Sequence, residues 1–373
     1  MSSLQIRRIA SHLLLTKQGF YKRPLLTVNC ATKQIISVEQ YGDNLDSLEG
    51  VEFYSGILCN GFVNAHCHIE LSYLKGAIQE GVGYAGFAGA MAAVRGNFTD
   101  QERQRAIAEA DDAMWSEGVD AVADIVNDDS SFAVKSRSKI DYHSFAEVFG
   151  LKKSNLELCK HLAANPQTTL SPHSTYSVQS ADFDYICKNG TAPLSIHFME
   201  SEGEYLLYKG EGPLAEWYKR AQFECDFLHH NSPAKRIVNS IPATRSVILV
   251  HNSFVSEEDI DIIMNHFSAP VYWVLCPRSN RYISGSIPQT VELLRAKKLN
   301  ICIGTDSLAS NHTLSILEEI KALKDIPLFE RLNWATNVGA AALSVDNRGI
   351  INIDGVNLNT MQLTENSRAK RVL

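Results

Sequence analysis

Short apolar runs recur through the middle of the chain, and the segments between them are long enough to form helices. Two of these runs, SVILVHN at 246–252 and LNICIGTD at 299–306, are apolar almost throughout instead of alternating with polar residues. Strands of a parallel sheet that is covered by helices on both faces have this pattern. Eight such runs can be marked, at residues 61–68, 119–125, 142–150, 168–174, 193–199, 246–252, 270–276 and 299–306.

The alternation of these runs with helical segments predicts an α/β fold. Eight strands is the number that closes an α/β barrel, although an open, doubly wound sheet gives the same alternation. The segment 100–118 has the period of a helix, with Asp100 predicted to cap its start and Gly118 to end it.

The two ends of the chain have a different pattern. Residues 1–58, and again those from 344 to 373, contain short strands and turns without a helical unit. No Pro-rich, Ser-rich or low-complexity linker separates either end from the middle. We therefore expect a small sheet made jointly by both ends, attached to one large α/β body.

The composition excludes some partners. The chain has 373 residues, 45% hydrophobic and 21% charged, and its 35 Lys and Arg against 42 Asp and Glu give a net charge of −7. That is the profile of a folded protein, and it lacks the basic excess that nucleic acid or an anionic membrane surface requires. No run approaches the roughly 18 apolar residues of a membrane span. We expect no nucleic-acid partner and no membrane.

The eight cysteines are spread along the chain, and no two of them form a C-x-x-C pair. This spacing argues against a zinc ribbon and against a disulfide scaffold. The N-terminal apolar run is interrupted by Ser11 and His12, which makes a signal peptide a poor interpretation. A cytoplasmic protein is the expectation.

The strongest chemical signal is the pair His66 and His68 at the end of the first predicted strand. Side chains alternate between the two faces of a strand, so both imidazoles point the same way and can bind one metal ion. The pair alone is a weak signal, because two histidines at this spacing are common by chance.

Other polar residues stand where further apolar strands end: His197 ends LSIHF, His251 ends VILVH and Asp306 ends ICIGTD. A buried His or Asp is costly unless it is paired or bound to a metal, and in a barrel these strand ends meet at one mouth. His173, which ends TLSPH, is a further candidate at this mouth, although its neighbours also suit an ordinary turn.

Three histidines and one aspartate, with no thiolate, suit Zn²⁺ or Fe²⁺ in a site that leaves one position open for water. Glu200 lies three residues past His197. A carboxylate there would act as a general acid and base beside a metal-activated water. The alternative is a solvated loop acid, since two more glutamates follow within four residues.

One motif is set aside. Residues 81–86 (GVGYAG) fit the dinucleotide fingerprint G-x-G-x-x-G, but they follow a polar stretch and not a strand. A mobile loop over the mouth is the better prediction for this segment.

Taken together, six segments resemble the amidohydrolase superfamily, in particular the aminohydrolases that include the S-adenosylhomocysteine, guanine and aminofutalosine deaminases and the triazine chlorohydrolases. They occur in the family's order and cover most of the chain. They are GFVNAHCHIELS at 61–72, SPHSTYS at 171–177, HFMESEGE at 197–204, LVHNSF at 249–254, CPRSN at 276–280 and GTDSLASNHTLSILEEI at 304–320.

The resemblance implies a (β/α)₈ TIM barrel at 59–343 and a small β-sandwich composed of 1–58 plus 344–373. It also implies one divalent metal ion, with zinc expected and Fe²⁺ as the alternative, because the fourth strand lacks the lysine that bridges two metals in relatives. In this reading Glu200 is the proton shuttle and His251 contacts the metal-activated water. The implied metal ligands are His66, His68, His197 and Asp306.

The resemblance indicates the substrate less directly. His173 matches a histidine that contacts substrate in adenosine-type deaminases. Glu70, in the HIELS segment, is typical of aminofutalosine deaminase-like proteins, where it would bond a ribose hydroxyl or a ring nitrogen. A salt bridge at the barrel mouth is an equal alternative for Glu70. The C-terminal region after Gly349 is shorter than in many relatives.

The function expected from the resemblance is hydrolytic deamination of an amino-substituted heterocycle, with release of ammonia. The adenine ring of a nucleoside derivative such as aminofutalosine, S-adenosylhomocysteine or adenosine is the expected target. The alternatives are a chlorohydrolase, guanine deaminase or cyclic-amide hydrolase on the same site, and a barrel that has lost activity and only binds. The expected partner is a small heterocyclic substrate, and a homodimer is typical of such barrels.

Overall fold

The computed structural model describes residues 6–32, 34–42, 49–346 and 349–373. Its strands are β1 Ile6–Thr16, β2 Gly19–Lys22, β3 Pro24–Asn29, β4 Gln34–Gln40, β5 Val51–Asn60, β6 Phe62–Cys67, β7 Val119–Val126, β8 Asp141–Val148, β9 Thr168–Pro172, β10 Leu194–Phe198, β11 Val247–His251, β12 Val271–Leu275, β13 Asn300–Ile303, β14 Ile350–Asn357 and β15 Gln362–Arg371.

The α-helices are α1 Gly83–Val94, α2 Asp100–Ser116, α3 Phe132–Lys135, α4 Leu156–Leu162, α5 Ser180–Lys188, α6 Glu202–Tyr208, α7 Gly212–Arg220, α8 Pro233–Ser240, α9 Glu257–His266, α10 Pro277–Ser284, α11 Thr290–Ala296, α12 Ile316–Ala322, α13 Leu328–Asn333 and α14 Gly339–Leu343. Within the described residues, no helix is both long and apolar enough to cross a membrane.

Two four-stranded parallel sheets form the body, in the orders β6-β7-β8-β9 and β10-β11-β12-β13. Each of the eight predicted apolar runs coincides with one of these strands, with β7 and β8 each extending one residue beyond its run, and most of the strand side chains are buried, as strands covered on both faces require. The resulting architecture is α/β and TIM-barrel-like.

Backbone hydrogen bonds join the two sheets at both of their outer strands. The amide of His197 at the end of β10 donates to the carbonyl of His173, just after β9, at 2.9 Å. At the other side, the amides of Thr305 and Asp306, just after β13, donate to the carbonyl of His66 in β6 at 3.0 and 3.1 Å. Both junctions therefore pass through residues that the sequence singled out.

The two ends of the chain share one seven-stranded sheet, as expected. Its order is β15-β14-β5-β1-β3-β4, with β2 paired to β1. The C-terminal strands join through antiparallel pairing of β14 with β5, and β1 runs parallel to β5. The strands of both termini therefore pair directly with one another.

Two local predictions need correction. Helix α2 is capped by Thr99, not Asp100: the Thr99 hydroxyl accepts from the Glu102 amide while the Glu102 carboxylate accepts from the Thr99 amide at 2.8 Å. Thr99 is the preferred cap because the capping box that it forms with Glu102 satisfies two backbone N–H donors at once. Gly118 ends this segment as predicted, with a φ of 91°.

The expected loop at 81–86 is also wrong in part, since helix α1 begins at Gly83. Its glycines and alanines carry little apolar pattern, which hides the helix from sequence analysis. Phe87, Met91 and Val94 pack against a cluster that contains Tyr73 and Leu74, and this tertiary contact supports the helix.

Candidate active site

The histidines and the aspartate from four strand ends meet in one cluster. The Nε2 atoms of His66 and His68 lie 3.7 and 3.6 Å from Asp306 Oδ1. The His197 ring centroid is 4.9 Å from that of His66, and His251 stacks on His197 at 5.5 Å. Ligand atoms of His66, His68 and Asp306 lie within 4.8 Å of one another, as do those of His66, His197 and His251.

Asp306 is oriented by its backbone and by two hydroxyls. It adopts a φ of 58°, a left-handed conformation that is uncommon outside glycine and that occurs preferentially at functional sites. Ser279 and Ser310 both donate to its Oδ2 atom, at 2.6 and 2.7 Å. Oδ1 is therefore the oxygen that faces the histidines.

The junction between β6 and the end of β13 is fixed by side chains as well. Asn64 donates to the Thr305 hydroxyl at 2.7 Å, and its carbonyl oxygen accepts from the Thr305 amide at 3.1 Å. Position 304 has room only for glycine, because a Cβ there would lie 2.8 Å from His66 Cβ. These contacts set the distance between His66 and Asp306, which lie far apart in sequence.

His197 is held in one ring orientation by its Nδ1 atom. That atom lies 3.0 Å from the carbonyl of His173 and 3.4 Å from Glu147 Oε1. A backbone or carboxylate partner on one ring nitrogen leaves the other nitrogen free to bind a metal ion. His197 therefore has the arrangement of a metal ligand.

Glu200 lies beside this cluster, and its side chain is only 10% exposed. Its Oε1 atom lies 3.6 Å from His251 Nε2, and its backbone amide donates to Glu204 Oε1 at 2.7 Å. Burial raises the pKa of Glu200 well above its ordinary value, and the negative charges of Asp306 and Glu204 raise it further. The solvated-loop alternative does not describe this side chain.

Burial also keeps the histidines neutral. It lowers the pKa of His66 well below its ordinary value, and that of His251 to about 4. Both ring nitrogens of His66 and Nδ1 of His68 are buried with no hydrogen-bond partner among the described residues. Neutral imidazoles with unpartnered nitrogens match the requirements of a divalent cation, because a ligand nitrogen must be unprotonated.

Both predicted substrate contacts lie at the same cavity, which has a volume of about 390 Å³. His173 stacks on His197 at 4.7 Å, and its Nδ1 atom lies 2.8 Å from the Ser177 hydroxyl. Glu70 accepts from the Asn127 amide through both carboxylate oxygens, at 3.1 and 3.0 Å. No ion pair among the described residues includes Glu70, so the salt-bridge alternative has no partner there.

The structure adds residues that sequence analysis missed. Glu147 lies inside the predicted strand at 142–150, and it is buried against His197 with its Oε1 atom lacking a hydrogen bond. A buried acid is costly without a partner, but Glu147 lies inside its run and does not end it as Asp306 does, so the strand-end signal did not mark it. Ser279 and Ser310 lie within the quoted segments CPRSN and GTDSLASNHTL, but nothing in their residue type marks them.

A TIM-barrel-like fold with buried histidines and an aspartate at its strand ends defines a class of metal-dependent hydrolases. The chain belongs to the amidohydrolase family, whose model matches residues 57–353. The predicted membership is thereby confirmed, and the protein is a hydrolase that acts on C–N bonds.

The proteins similar to this chain include three deaminases. An adenosine deaminase of Helicobacter pylori is 29% identical over 321 residues, covering 79% of this chain and 76% of the relative. An aminodeoxyfutalosine deaminase of a Nitratiruptor species is 25% identical over 289 residues, covering 72% and 67%. A crystal structure of Helicobacter pylori aminofutalosine deaminase with methylthio-coformycin has a TM-score of 0.77 at 25% identity, covering 97% of this chain and 90% of that one.

Proposed function

We propose that this protein is a hydrolytic deaminase of the adenine ring of a nucleoside derivative, such as aminofutalosine, S-adenosylhomocysteine or adenosine. The observation that carries the proposal is the mostly buried acid Glu200, which lies 3.6 Å from His251 beside the cluster of His66, His68 and Asp306. The names of the three similar proteins described above, an adenosine, an aminodeoxyfutalosine and an aminofutalosine deaminase, support the substrate class.

The proposed cofactor is one divalent metal ion, zinc or alternatively Fe²⁺. His66, His68, His197 and Asp306 would hold it, and the unpartnered imidazole nitrogens support this donor set. When bound, such a cation supplies Lewis acidity that activates a water molecule for attack. Nitrogen and oxygen donors without a thiolate fit zinc in hydrolytic sites.

The residues around this position would share the proton transfers. Because its pKa is raised, Glu200 can carry a proton at neutral pH and deliver it to the ring nitrogen beside the amino-bearing carbon. His251, neutral and fixed beside Glu200, would orient the attacking water. His173 and Glu70, which line the cavity, would contact the base and the ribose.

We further propose the finer architecture. Residues 59–343 would form a closed (β/α)₈ barrel, and residues 1–58 plus 344–373 a small β-sandwich. The backbone hydrogen bonds at both junctions between the two parallel sheets support closure of the barrel. A homodimer stays a prediction.

The test is ammonia release from purified, metal-loaded protein. The panel comprises adenosine, S-adenosylhomocysteine, 5′-methylthioadenosine, aminofutalosine and guanine, together with a chlorotriazine and a cyclic amide. We expect ammonia from one or more of the adenine nucleosides. Chloride or a new carboxylate without ammonia would instead identify the alternative reactions.

The role of Glu200 is tested by Glu200→Gln. Removing a general acid lowers kcat by about 10²- to 10⁴-fold. Glu202→Gln, an exposed neighbour, is the matched control and should keep the wild-type rate. A Glu200→Gln protein that still holds metal and deaminates at the wild-type rate would show that Glu200 is not the proton shuttle.

A further inference from the structure

The turn between β10 and α6 carries Glu200 next to a residue in an uncommon backbone conformation. β10 ends at Phe198 and α6 begins at Glu202, and Met199 between them has a φ of 50°. This left-handed conformation is unfavourable for a residue with a side chain, so the surrounding structure must hold it. Met199 is buried, whereas Glu200, the next residue, lines the cavity. The conformation of this turn therefore decides where the Glu200 carboxyl group lies.

One buried side chain bonds the amides of this turn. The carboxylate of Glu204 accepts from the Met199 amide through Oε2 at 3.0 Å and from the Glu200 amide through Oε1 at 2.7 Å. The carbonyl of Met199 accepts from the Phe254 amide at 2.9 Å. The two peptide groups that set the φ and ψ angles of Met199 are thus both hydrogen-bonded, and Glu204 is a partner of each.

Glu204 itself lies in a costly position. It is fully buried, and no ion pair among the described residues includes it. Burial raises its pKa to about 8, against the opposing effect of the backbone amides. Within the part of the chain that the structure describes, its carboxylate bonds only the amides of this turn. Because an apolar side chain would avoid the cost of burying an acid, the bonds to the turn are the reason for a glutamate at this position.

We infer that Glu204 is the positioning residue for Glu200: its carboxylate holds the turn so that the Glu200 carboxyl group stays at the cavity, beside His251. This inference rests on the proposed function, because the role of Glu200 as proton shuttle is what gives its position importance. Glu204 is not among the residues that line the cavity, so it acts through the backbone of Glu200 and not on the substrate.

The substitution Glu204→Gln preserves the shape of the side chain and removes this function. An amide group has one acceptor oxygen, and its NH₂ would face one of the two backbone N–H donors. The turn then loses a hydrogen bond, and displacing a reacting group by about 1 Å lowers the rate by about 10²-fold. We expect kcat to fall by about 10- to 100-fold while KM stays within about threefold of wild type, because no substrate contact is removed.

The decisive experiment is a double-mutant cycle on the metal-loaded full chain. It measures kcat for ammonia release from the panel nucleoside with the highest kcat/KM, at equal metal content, for wild type, Glu200→Gln, Glu204→Gln and the double variant. If Glu204 acts through Glu200, the second substitution changes nothing once the shuttle is removed, so the double variant should stay within about twofold of Glu200→Gln. A general structural defect would instead multiply the two losses.

Hydrogen exchange measures the same bonds without relying on activity. In a peptide that spans residues 198–202, the amides of Met199 and Glu200 should exchange faster in Glu204→Gln than in wild type, whereas β11 should be unchanged. If Glu204→Gln does not fold, Glu204→Asp takes its place in both experiments. Its carboxylate falls about 1.5 Å short of the turn, so the expected changes have the same direction.

The matched control is Glu202→Gln, which removes an exposed acid from the same helix and should retain the wild-type kcat and exchange. Three results would overturn the inference while leaving the proposed deaminase intact: a wild-type kcat in Glu204→Gln, multiplied losses in the double variant, and unchanged exchange at the turn. Absence of ammonia from every nucleoside, or a wild-type rate in Glu200→Gln, would instead contradict the proposed function, and the inference with it.

Discussion

At the scale of single residues, the site depends on carboxylates whose surroundings differ. Asp306 is buried, which alone would raise its pKa, but nearby His68 and His251 and the hydroxyls of Ser279 and Ser310 lower it overall. Burial raises the pKa of Glu200, whose carboxylate accepts no hydrogen bond from the residues that the structure describes. The two acids are thereby separated into a carboxylate suited to bind a cation and an acid suited to carry a proton.

Glu319, which lies outside the histidine cluster, should make the stability of the protein depend on pH. It is buried in α12, where its carboxylate accepts from the Asn311 amide group at 2.7 Å and from the Arg278 backbone amide at 2.8 Å. Burial raises its pKa from 4.5 to about 8. Folding therefore favours its protonated form, and its contribution to stability is complete below pH 4.5 and is lost as the pH rises to about 8.

The corresponding measurement is urea unfolding of wild type and Glu319→Gln from pH 5 to pH 9. The difference in unfolding free energy, wild type minus variant, should decrease as the pH rises, because glutamine does not titrate. Glu216→Gln, on the exposed side of α7, should leave the difference flat. A flat difference for Glu319→Gln as well would mean that Glu319 does not titrate in this range.

The sequence was sufficient to indicate most of the clustered residues, because a His or Asp at the end of an apolar strand stands out. His66, His68, His197, His251 and Asp306 all have this signal, and the structure brings them together. It did not indicate Glu147, whose significance lies in its distance from His197, a residue on another strand. Contacts of this kind depend on how the strands pair, which a linear pattern does not record.

At the scale of elements, a buried ion pair holds the turn that follows His68. Asp124 in β7 lies 2.5 Å from the Lys135 ammonium at the end of α3, and its other oxygen accepts from the Ile69 amide at 2.8 Å. Neither side chain is more than 6% exposed. The pair therefore connects β7, α3 and the segment that carries His68 and Glu70.

Replacing Lys135 by methionine should leave an unpaired buried carboxylate. Breaking such a pair costs about 3–5 kcal/mol, so the urea midpoint of Lys135→Met should fall markedly. The double variant Asp124→Asn with Lys135→Met should regain part of the loss, since no charge remains to be buried. A single variant with wild-type stability would show that the pair contributes nothing.

The elements themselves were partly predictable. The eight parallel strands could be predicted from apolar runs, because strands that are buried on both faces are apolar almost throughout. Helix α1 did not, because its glycine- and alanine-rich sequence has no clear face and its support comes from packing against Tyr73 and Leu74. The cap of α2 was misplaced by one residue, since Thr99 and Asp100 are both common caps.

At the scale of the whole molecule, the terminal sheet is attached to the body through Arg371. Its guanidinium lies 2.6 Å from Asp120 in β7, donates to the carbonyl of Val119 at 3.0 Å and stacks on Trp115. Asp120 also accepts from the Gly349 amide at 2.6 Å. The last strand of the chain is thus tied to the start of the second body strand.

We expect Arg371→Met to lower the unfolding free energy by about 3 kcal/mol, because Asp120 would lose its cation in a nearly buried position. Arg368→Met is the matched control on the same strand, since the Arg368 guanidinium donates, within the described part of the chain, only to nearby carbonyls of β15, and it should have little effect. Equal stabilities of the two variants would show that the Asp120 contact does not hold the units together.

That both chain ends would pair in one sheet was predictable from their strand-rich composition, but the strand order was not. β1 lies between β3 and β5, and it runs antiparallel to β3 and parallel to β5. Such an order is decided by which edges remain free once the body has formed, and no local pattern encodes it.

The backbone hydrogen bonds between His197 and His173, and between Thr305 and His66, have an evolutionary consequence. They fix the reactive side chains by main-chain pairing, whose geometry survives the exchange of surrounding side chains. Segments outside this pairing, such as the one that contains α1, can be lengthened, shortened or replaced without moving the reactive groups. One set of chemical groups can in this way be inherited unchanged while the segments above it diverge and adapt to new molecules.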